Sequence, residues 1–305
     1  MNRKKLLAVF AGLTATVCAA CNQSAATSPT AEPVTAVVKK PFEAATPAVT
    51  LAPSPISTNA AQAGQWVTIK GTVVWPKDAK VPAAVPLVVG TDKAECEKKG
   101  PLMNEELVIN EKNRGLKNIF VYLRPADKDT PALTEKDIKP ELLKPKSVVH
   151  EVDQPCCMFI PRALALRSGD FINFKNSSPI THNVNFSADA PSPSENKTIP
   201  SKGNYQDPKP FVAQPGLASF ACSIHPWMSG KFMIFDHPYY AVTDADGKFE
   251  IKDCPAGKYR IVYRSGDKGY SQGKLGNKGW EITIKAGANG TMEVEPHEFV
   301  VPEAK

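Results

Sequence analysis

The sequence predicts an all-β protein. Its 305 residues include 28 Pro and 19 Gly, a composition that favours many turns and short strands over long helices. Apolar and polar residues alternate in several short segments, and the first of these is 66–75. Near the far end, the Asp246-Gly247 pair between two such segments supplies the positive backbone angles of a tight hairpin turn. The length suits about two domains.

The N-terminus has the pattern of an export signal. Residues 3–5 are basic, and residues 6–20 are apolar and small. A stretch this short favours export over a membrane-spanning helix. We therefore predict a signal peptide at residues 1–20 and a periplasmic or cell-envelope location.

The end of this signal predicts a lipid anchor. The segment closes with Cys18-Ala19-Ala20-Cys21, which resembles the cleavage box of bacterial lipoproteins and implies that Cys21 is the lipidated first residue. Cys18 departs from that pattern, because such boxes usually carry an aliphatic residue there. Ordinary cleavage after Ala20 is the alternative.

Residues 21–65 predict a disordered tether. They are rich in Ala, Pro, Thr and Ser and show no apolar period, so they cannot bury enough surface to offset their ordering entropy. A Pro-rich segment of this kind would hold a folded unit away from a membrane surface.

The net charge argues against a nucleic-acid partner. The formal charge is +6, and three of the positive charges lie at residues 3–5 in the predicted signal. The remaining charge is mild, and no Lys/Arg run with interleaved aromatic residues occurs.

Two segments far apart in the sequence are predicted to form the two halves of one β-sandwich. The stretch TDADGKFEI…CPAGKYRIVY, within residues 237–300, resembles the second half of a carboxypeptidase regulatory-like (transthyretin-like) β-sandwich. The stretch IKGTVVW…LKNIFVYLRP, within residues 66–125, resembles its first half more weakly. We predict that one sandwich is split by an insertion in a loop, which domains tolerate when the ends of the insert lie close together. Two tandem domains are the plainer alternative.

The insert is predicted to be a second β domain. A linker at residues 126–145, with one short helical turn, leads into residues 146–236. Short antiparallel strands alternate there with long Pro- and Ser-rich loops, which is typical of a small Greek-key sandwich.

This insert contains a candidate metal site. Cys222, His225 and Met228 lie within one short stretch, and His182 lies upstream at the start of a predicted strand. Two His, one Cys and one weak Met are the ligand set of a blue-copper electron-transfer site. All four ligand types in this order along the chain are more specific evidence for a copper site than a lone Cys-x-x-His motif would be.

The surrounding residues carry a family resemblance. ALRSGDFINFKNSSPITHNVNF followed by FACSIHPWM resembles the cupredoxin family, of the plastocyanin and amicyanin type. The resemblance implies one type 1 copper held by the four residues above, and electron transfer to a redox partner such as a c-type cytochrome. It also implies that the exposed edge of His225 passes electrons. Asn183, next to His182, is expected to support the stretch 222–228 through hydrogen bonds. Trp227 is expected to lie beside His225, and core packing is the alternative role for its ring.

The number of cysteines is consistent with a metal ligand. Without Cys18 and Cys21 the chain has an odd number, so one thiol is left over, and a copper ligand at Cys222 accounts for it. The other four are disulfide candidates in an oxidising compartment. The four candidates are Cys96, Cys156, Cys157 and Cys254. A bridge from Cys96 to Cys156 or to Cys157 is the first expectation.

No motif predicts an enzyme. The sequence lacks Gly-x-Ser-x-Gly, His-Glu-x-x-His and a phosphate-binding Gly loop, and the hairpin turn explains Asp244 and Asp246. We expect an electron carrier. The alternatives are a copper-binding or copper-sensing protein without redox exchange, and a surface binding module that has lost its metal.

Overall fold

The structure, a computed structural model, describes residues 66–302 apart from 131, 145 and 286. The predicted signal peptide, the lipidation site Cys21 and the predicted tether lie outside these residues. Strands and turns dominate the described chain, and this confirms the predicted all-β class. Within this part of the chain, no helix is long and apolar enough to cross a membrane.

The helical content of the described residues is confined to short turns. They are helix α1 at Lys93–Cys96 and 3₁₀ turns at Glu135–Asp137, Pro140–Leu142, Gly276–Lys278 and Ala288–Gly290. The strands, in chain order, are β1 (Trp66–Val74), β2 (Val108–Ile109), β3 (Leu116–Lys117), β4 (Ile119–Pro125), β5 (Val149–Asp153), β6 (Ala163–Arg167), β7 (Phe171–Lys175), β8 (His182–Ser187), β9 (Glu195–Ile199), β10 (Asn204–Gln206), β11 (Ala218–Ala221), β12 (Ser229–Phe235), β13 (Tyr240–Val242), β14 (Lys248–Pro255), β15 (Gly257–Ser265), β16 (Gly269–Tyr270), β17 (Trp280–Ile284), β18 (Thr291–Glu293) and β19 (His297–Glu298).

Strands from both ends of the described chain build shared sheets, which we call the flanking sandwich (β1–β4 and β13–β19). Strand β1 pairs antiparallel with β14, and Ile69 lies opposite Ile251. Strand β4 lies between β13 and β15. Alternate residues of β1 face the core, because successive side chains of a strand point to opposite faces. The domain limits given above stay a prediction.

Strands β5–β12 form a second pair of sheets, the central sandwich. One sheet has the order β10-β7-β5, and the other has the order β6-β12-β11-β8-β9. Six fully buried aromatic rings fill the space between the sheets and fix their separation; they are Phe159, Phe174, Phe186, Phe211, Phe220 and Phe232.

Two strand pairs of the central sandwich differ from the antiparallel expectation. Strands β5 and β7 are parallel, and so are β6 and β12. Parallel neighbours need a crossover rather than a hairpin. Here β6 lies in the opposite sheet, so the chain crosses between sheets before it returns as β7.

The predicted linker at 126–145 is packed rather than free. It contains two 3₁₀ turns instead of one helical turn, and Leu133 and Ile138 are buried in the core of the flanking sandwich. The backbone N–H of Lys139 donates to the Tyr239 hydroxyl at 3.0 Å, and its ammonium lies 2.7 Å from Asp253. These contacts fasten the segment to the strands that follow the central sandwich.

An apolar cluster joins the two sandwiches. Phe120, Tyr122 and Val262 of the flanking sandwich pack with Ala163, Met233 and Phe235 of the central one. This cluster shows that the two sets of sheets share buried surface rather than being connected only by chain.

Candidate metal centre

Three side chains predicted as ligands converge at one end of the central sandwich. The Nδ1 atoms of His182 and His225 are 2.9 Å apart, and the Cys222 sulfur lies 3.7 Å from His225 Nδ1. All three residues are buried, with exposed fractions of 0%, 2% and 0% for His182, Cys222 and His225. Their potential ligand atoms lie within 4.8 Å of one another.

Strand pairing explains this convergence. His182 is the first residue of β8, and β8 pairs with β11, whose last residue immediately precedes Cys222. The chain then turns and returns as β12, which pairs with β11 on its other side. We call residues 222–228 the ligand loop.

Backbone hydrogen bonds close the ligand loop. The N–H of Cys222 donates to the Met228 carbonyl at 3.0 Å, and the N–H of Met228 donates to the His225 carbonyl at 2.9 Å. These two hydrogen bonds hold the side chains of the loop in one arrangement, which a metal site requires. Met228 is fully buried with the apolar residues of the central core, and its role as a ligand stays a prediction.

Asn183 connects β8 to the ligand loop. Its side-chain oxygen accepts hydrogen bonds from the backbone N–H of Ser223 at 2.6 Å and of Ile224 at 3.3 Å, and from the Cys222 thiol at 3.1 Å. Its backbone N–H points at the Cys222 sulfur, 3.5 Å away. One residue thus fixes both the loop backbone and the thiol.

Burial determines the protonation of His182. Desolvation, followed by the nearby His225, lowers the pKa of His182 to about 4, so its ring is neutral near pH 7 and offers a lone pair to a metal. Its Nε2 atom is buried without a hydrogen-bond partner among the described residues. The two histidines turn their Nδ1 atoms toward each other, and that of His225 also lies near the Cys222 sulfur.

These residues fit a copper ion. A metal bound by imidazole and thiolate lies about 2.0–2.3 Å from each donor atom, and donors 2.9 and 3.7 Å apart can share such a point. The donor set itself, soft sulfur with imidazole, suits copper.

The far edge of His225 is covered, contrary to the expectation of an exposed edge. Its Nε2 lies 3.0 Å from the Asp92 carboxylate. Asp92 belongs to the segment between β1 and β2, for which only a place in the first half-sandwich was predicted. No local pattern marked Asp92, because its contact with His225 spans a large sequence separation and depends on the packing of two sandwiches.

Trp227 lies beside His225, with ring centroids 5.2 Å apart. Its indole N–H donates to the Cys157 carbonyl at 3.2 Å. The ring therefore packs between the ligand loop and the cysteine pair. A role for Trp227 in electron transfer stays a prediction.

The cysteines form one disulfide rather than two in the described chain. Cys96 pairs with Cys157, one of the two pairings left open by the sequence, whereas Cys156 and Cys254 are free thiols. Cys254 lies fully buried in the flanking core opposite Val67, and no other cysteine of the described residues is bonded to it. With three free thiols described, the odd count does not by itself select Cys222.

The remaining histidines take structural positions. His150 lies 2.9 Å from Asp170, and His297 stacks on Tyr263 with centroids 3.8 Å apart. His237 is buried, and burial lowers its pKa to about 3. Each of these three histidines contacts its own neighbours, and none lies among the candidate metal ligands.

Comparisons with known proteins give partial structural likenesses. No protein-family model matches the chain, and no curated protein matches it. Similar solved structures include a purple cupredoxin from Nitrosopumilus maritimus, at 16% identity over 28% of this chain and 99% of that chain, with a TM-score of 0.24.

Two further solved structures give likenesses of the same order. A Cu(I) amicyanin variant is 20% identical over 28% of this chain and 82% of that chain, with a TM-score of 0.25. A copper-containing nitrite reductase from Thermus scotoductus is 19% identical over 37% of this chain and 25% of that chain, again with a TM-score of 0.25. The geometry of the site itself, rather than these likenesses, carries the proposal that follows.

Proposed function

We propose that this protein is an exported electron carrier with one type 1 copper ion held by His182, Cys222, His225 and Met228. The observation that carries the proposal is the convergence of two buried imidazole Nδ1 atoms and one buried thiol sulfur. Bound copper would supply one-electron redox chemistry at this site.

The protein's own residues would keep that site rigid and dry. His182 is fixed by a paired strand, while Cys222 and His225 are fixed by the closed ligand loop. Asn183 holds the loop backbone and the sulfur together. A site that is already formed changes little when it gains or loses an electron, and burial excludes water from the donor atoms.

The wider setting belongs to the same proposal. The chain would be exported, attached to the cell envelope through Cys21, and would exchange electrons with a partner such as a c-type cytochrome. The cupredoxin identity of the central sandwich and the regulatory-like identity of the flanking sandwich are part of this proposal. We assign no catalytic group and no nucleic-acid partner.

A second candidate is a copper-binding or copper-sensing protein without redox exchange. The observation that favours it is the covered edge of His225, because a closed edge lengthens the path to a partner protein. A metal-free scaffold is a third candidate, and the convergent donor atoms argue against it.

Spectra of the copper-loaded, oxidised chain test the metal proposal. We expect intense visible absorption from the thiolate–copper bond and the electron-paramagnetic signal of a type 1 site. Cys222→Ser should abolish the visible band, because no thiolate remains at the centre. Cys156→Ser is the matched control, since Cys156 is a free, half-buried thiol elsewhere in the described chain, and this variant should keep the band.

Metal content and electron exchange then separate the candidates. The electron carrier is supported if the protein binds one copper per chain with a visible band and rapidly oxidises a reduced c-type cytochrome in a stopped-flow measurement. Copper that binds without measurable exchange supports the second candidate. A chain that takes up no copper excludes both.

A further inference from the structure

A loop of the flanking sandwich reaches the metal centre. We call residues 85–104 the cover loop. Its base is closed like a hairpin, because the N–H of Leu87 donates to the Leu102 carbonyl at 2.8 Å and the N–H of Asn104 donates to the Val85 carbonyl at 2.8 Å. Helix α1 forms its tip.

The tip of the cover loop places a carboxylate on His225. Asp92 has a left-handed backbone conformation with φ of 51°, and its carbonyl accepts the N–H groups of Glu95 and Cys96 at 3.0 and 2.9 Å. Asp tolerates this conformation better than most residues. The turn therefore fixes the carboxylate, whose Oδ2 lies 3.0 Å from His225 Nε2.

A disulfide clamps the tip onto the central sandwich. Cys96, at the end of α1, is bonded to Cys157. The carbonyl of Cys157 accepts the Trp227 indole N–H, so the clamp also touches the ligand loop. Val89 and Cys96 are buried in the core of the central sandwich, although they belong to the cover loop.

The result is a closed centre. His225 has no exposed surface, while the Asp92 side chain that covers its edge is 43% exposed. Carboxylates that accept from a metal-ligating imidazole fix the orientation of its ring and its tautomer. Asp92 is thus placed to hold Nδ1 of His225 toward the Cys222 sulfur.

We propose that the cover loop is a disulfide-clamped lid on the metal centre, with Asp92 as a positioning residue for His225. A dithiol reductant opens it. The Cys96–Cys157 bond breaks, each sulfur takes up one electron and one proton, and the reductant is oxidised to its own disulfide. The edge of His225 then becomes accessible to solvent or to a partner.

The closed lid is a property of the metal-free chain, although its use in electron exchange depends on the proposed function. The test is therefore made without metal. The full chain is treated with diethylpyrocarbonate, which acylates accessible neutral imidazole, and modification is read residue by residue from peptide masses. His150, whose side chain is 25% exposed, serves as the partly accessible reference, and the buried His237 reports unfolding of the whole molecule.

The clamp is removed by the double substitution Cys96→Ser and Cys157→Ser, and separately by dithiothreitol acting on the unsubstituted chain. We expect modification of His225 to become faster by about tenfold, the change that loss of one charge-assisted hydrogen bond in a local opening produces. Modification of His237 should not change.

The role of the carboxylate is tested by Asp92→Gly, because glycine adopts the same backbone angles without strain. This variant should raise the modification of His225 while the clamp remains. Glu95→Gln on the same helix is the matched control, because Glu95 pairs with Lys98 and not with His225, and it should leave His225 protected.

Two outcomes overturn the lid. Unchanged protection of His225 after loss of the clamp would show that the disulfide does not hold the loop closed. A parallel rise at His237 would show that the disulfide stabilises the whole fold instead. Neither reading depends on copper, so failure of the chain to bind copper would leave this result standing.

Discussion

A single amide side chain organises the ligand loop. Asn183 follows His182 on β8, and its oxygen accepts from two consecutive backbone N–H groups of the loop as well as from the Cys222 thiol. Its amide nitrogen donates in turn to Asn196 at 2.6 Å. The position of Asn183 next to His182 predicted support of this kind, and the structure shows which atoms provide it.

We predict that Asn183→Ala destabilises the metal-free chain by about 1–3 kcal/mol, because it leaves the partly buried N–H of Ser223 without its acceptor. Urea unfolding measures the change in the free energy of unfolding. Asn196→Ala is the control, since Asn196 is exposed and its side-chain oxygen accepts from the amide nitrogen of Asn183 without contacting the Asn183 oxygen. An equal effect of both variants would contradict the role given to the Asn183 oxygen.

His225 shows how one contact changes the interpretation of a motif. The Cys-x-x-His spacing places the ring beside Cys222, whereas the exposed edge was an expectation from the family resemblance. The Asp92 carboxylate occupies that edge. Spacing along a loop is a local property, whereas exposure depends on everything that packs against the loop.

At the level of elements, the ligand loop depends on how closely β11 and β12 approach. Phe220 lies directly opposite Gly230, and a Cβ at Gly230 would overlap the Phe220 ring and come within 2.7 Å of the Arg162 carbonyl. Glycine is required there because an aromatic ring of the core passes over its backbone. This contact lies next to both ends of the ligand loop.

We therefore predict that Gly230→Ala destabilises the protein by about 1–3 kcal/mol, because the added methyl group forces the Phe220 ring out of its position. Thermal or urea unfolding of the metal-free chain measures it. Gly216→Ala, before β11, is the matched control: the nearest atom to its added Cβ is 3.9 Å away. Equal stability of the two variants would refute the packing argument.

The cover loop is the element that the sequence least revealed. Its residues lie between β1 and β2 in the chain, yet its tip packs into the core of the central sandwich. In the sequence, only the expected disulfide from Cys96 to Cys156 or Cys157 indicated a contact between this loop and the central sandwich. A disulfide between distant segments constrains the unfolded chain as well as the folded one.

At the scale of the whole molecule, a nearly buried ion pair joins the two sandwiches. Arg162 precedes β6, and Asp267 follows β15; their side chains are 9% and 16% exposed, and the closest nitrogen and oxygen are 2.5 Å apart. Beside it lies the apolar cluster that both sandwiches share. The candidate metal centre is thus part of a molecule whose two sandwiches are packed together.

We predict that Asp267→Asn destabilises the chain by about 3 kcal/mol, because it leaves the Arg162 guanidinium buried without its counter-charge. Chemical unfolding measures the effect. The control is Asp129→Asn, which breaks an exposed pair with Lys128 and should change the stability by less than about 1 kcal/mol. A negligible effect of Asp267→Asn would show that the pair contributes nothing to the junction.

The sequence alone determined the all-β class, the strands that alternate, and the candidate ligands, because these features depend on local periodicity and on side-chain chemistry at short spacing. It left open the disulfide pairing, and it missed the parallel edges of the central sandwich. The convergence of His182 with Cys222 and His225, and the contact of Asp92 with the edge of His225, were decided by tertiary structure. Such contacts join residues that are distant in the chain, and only the packing of whole sheets brings them within hydrogen-bond distance.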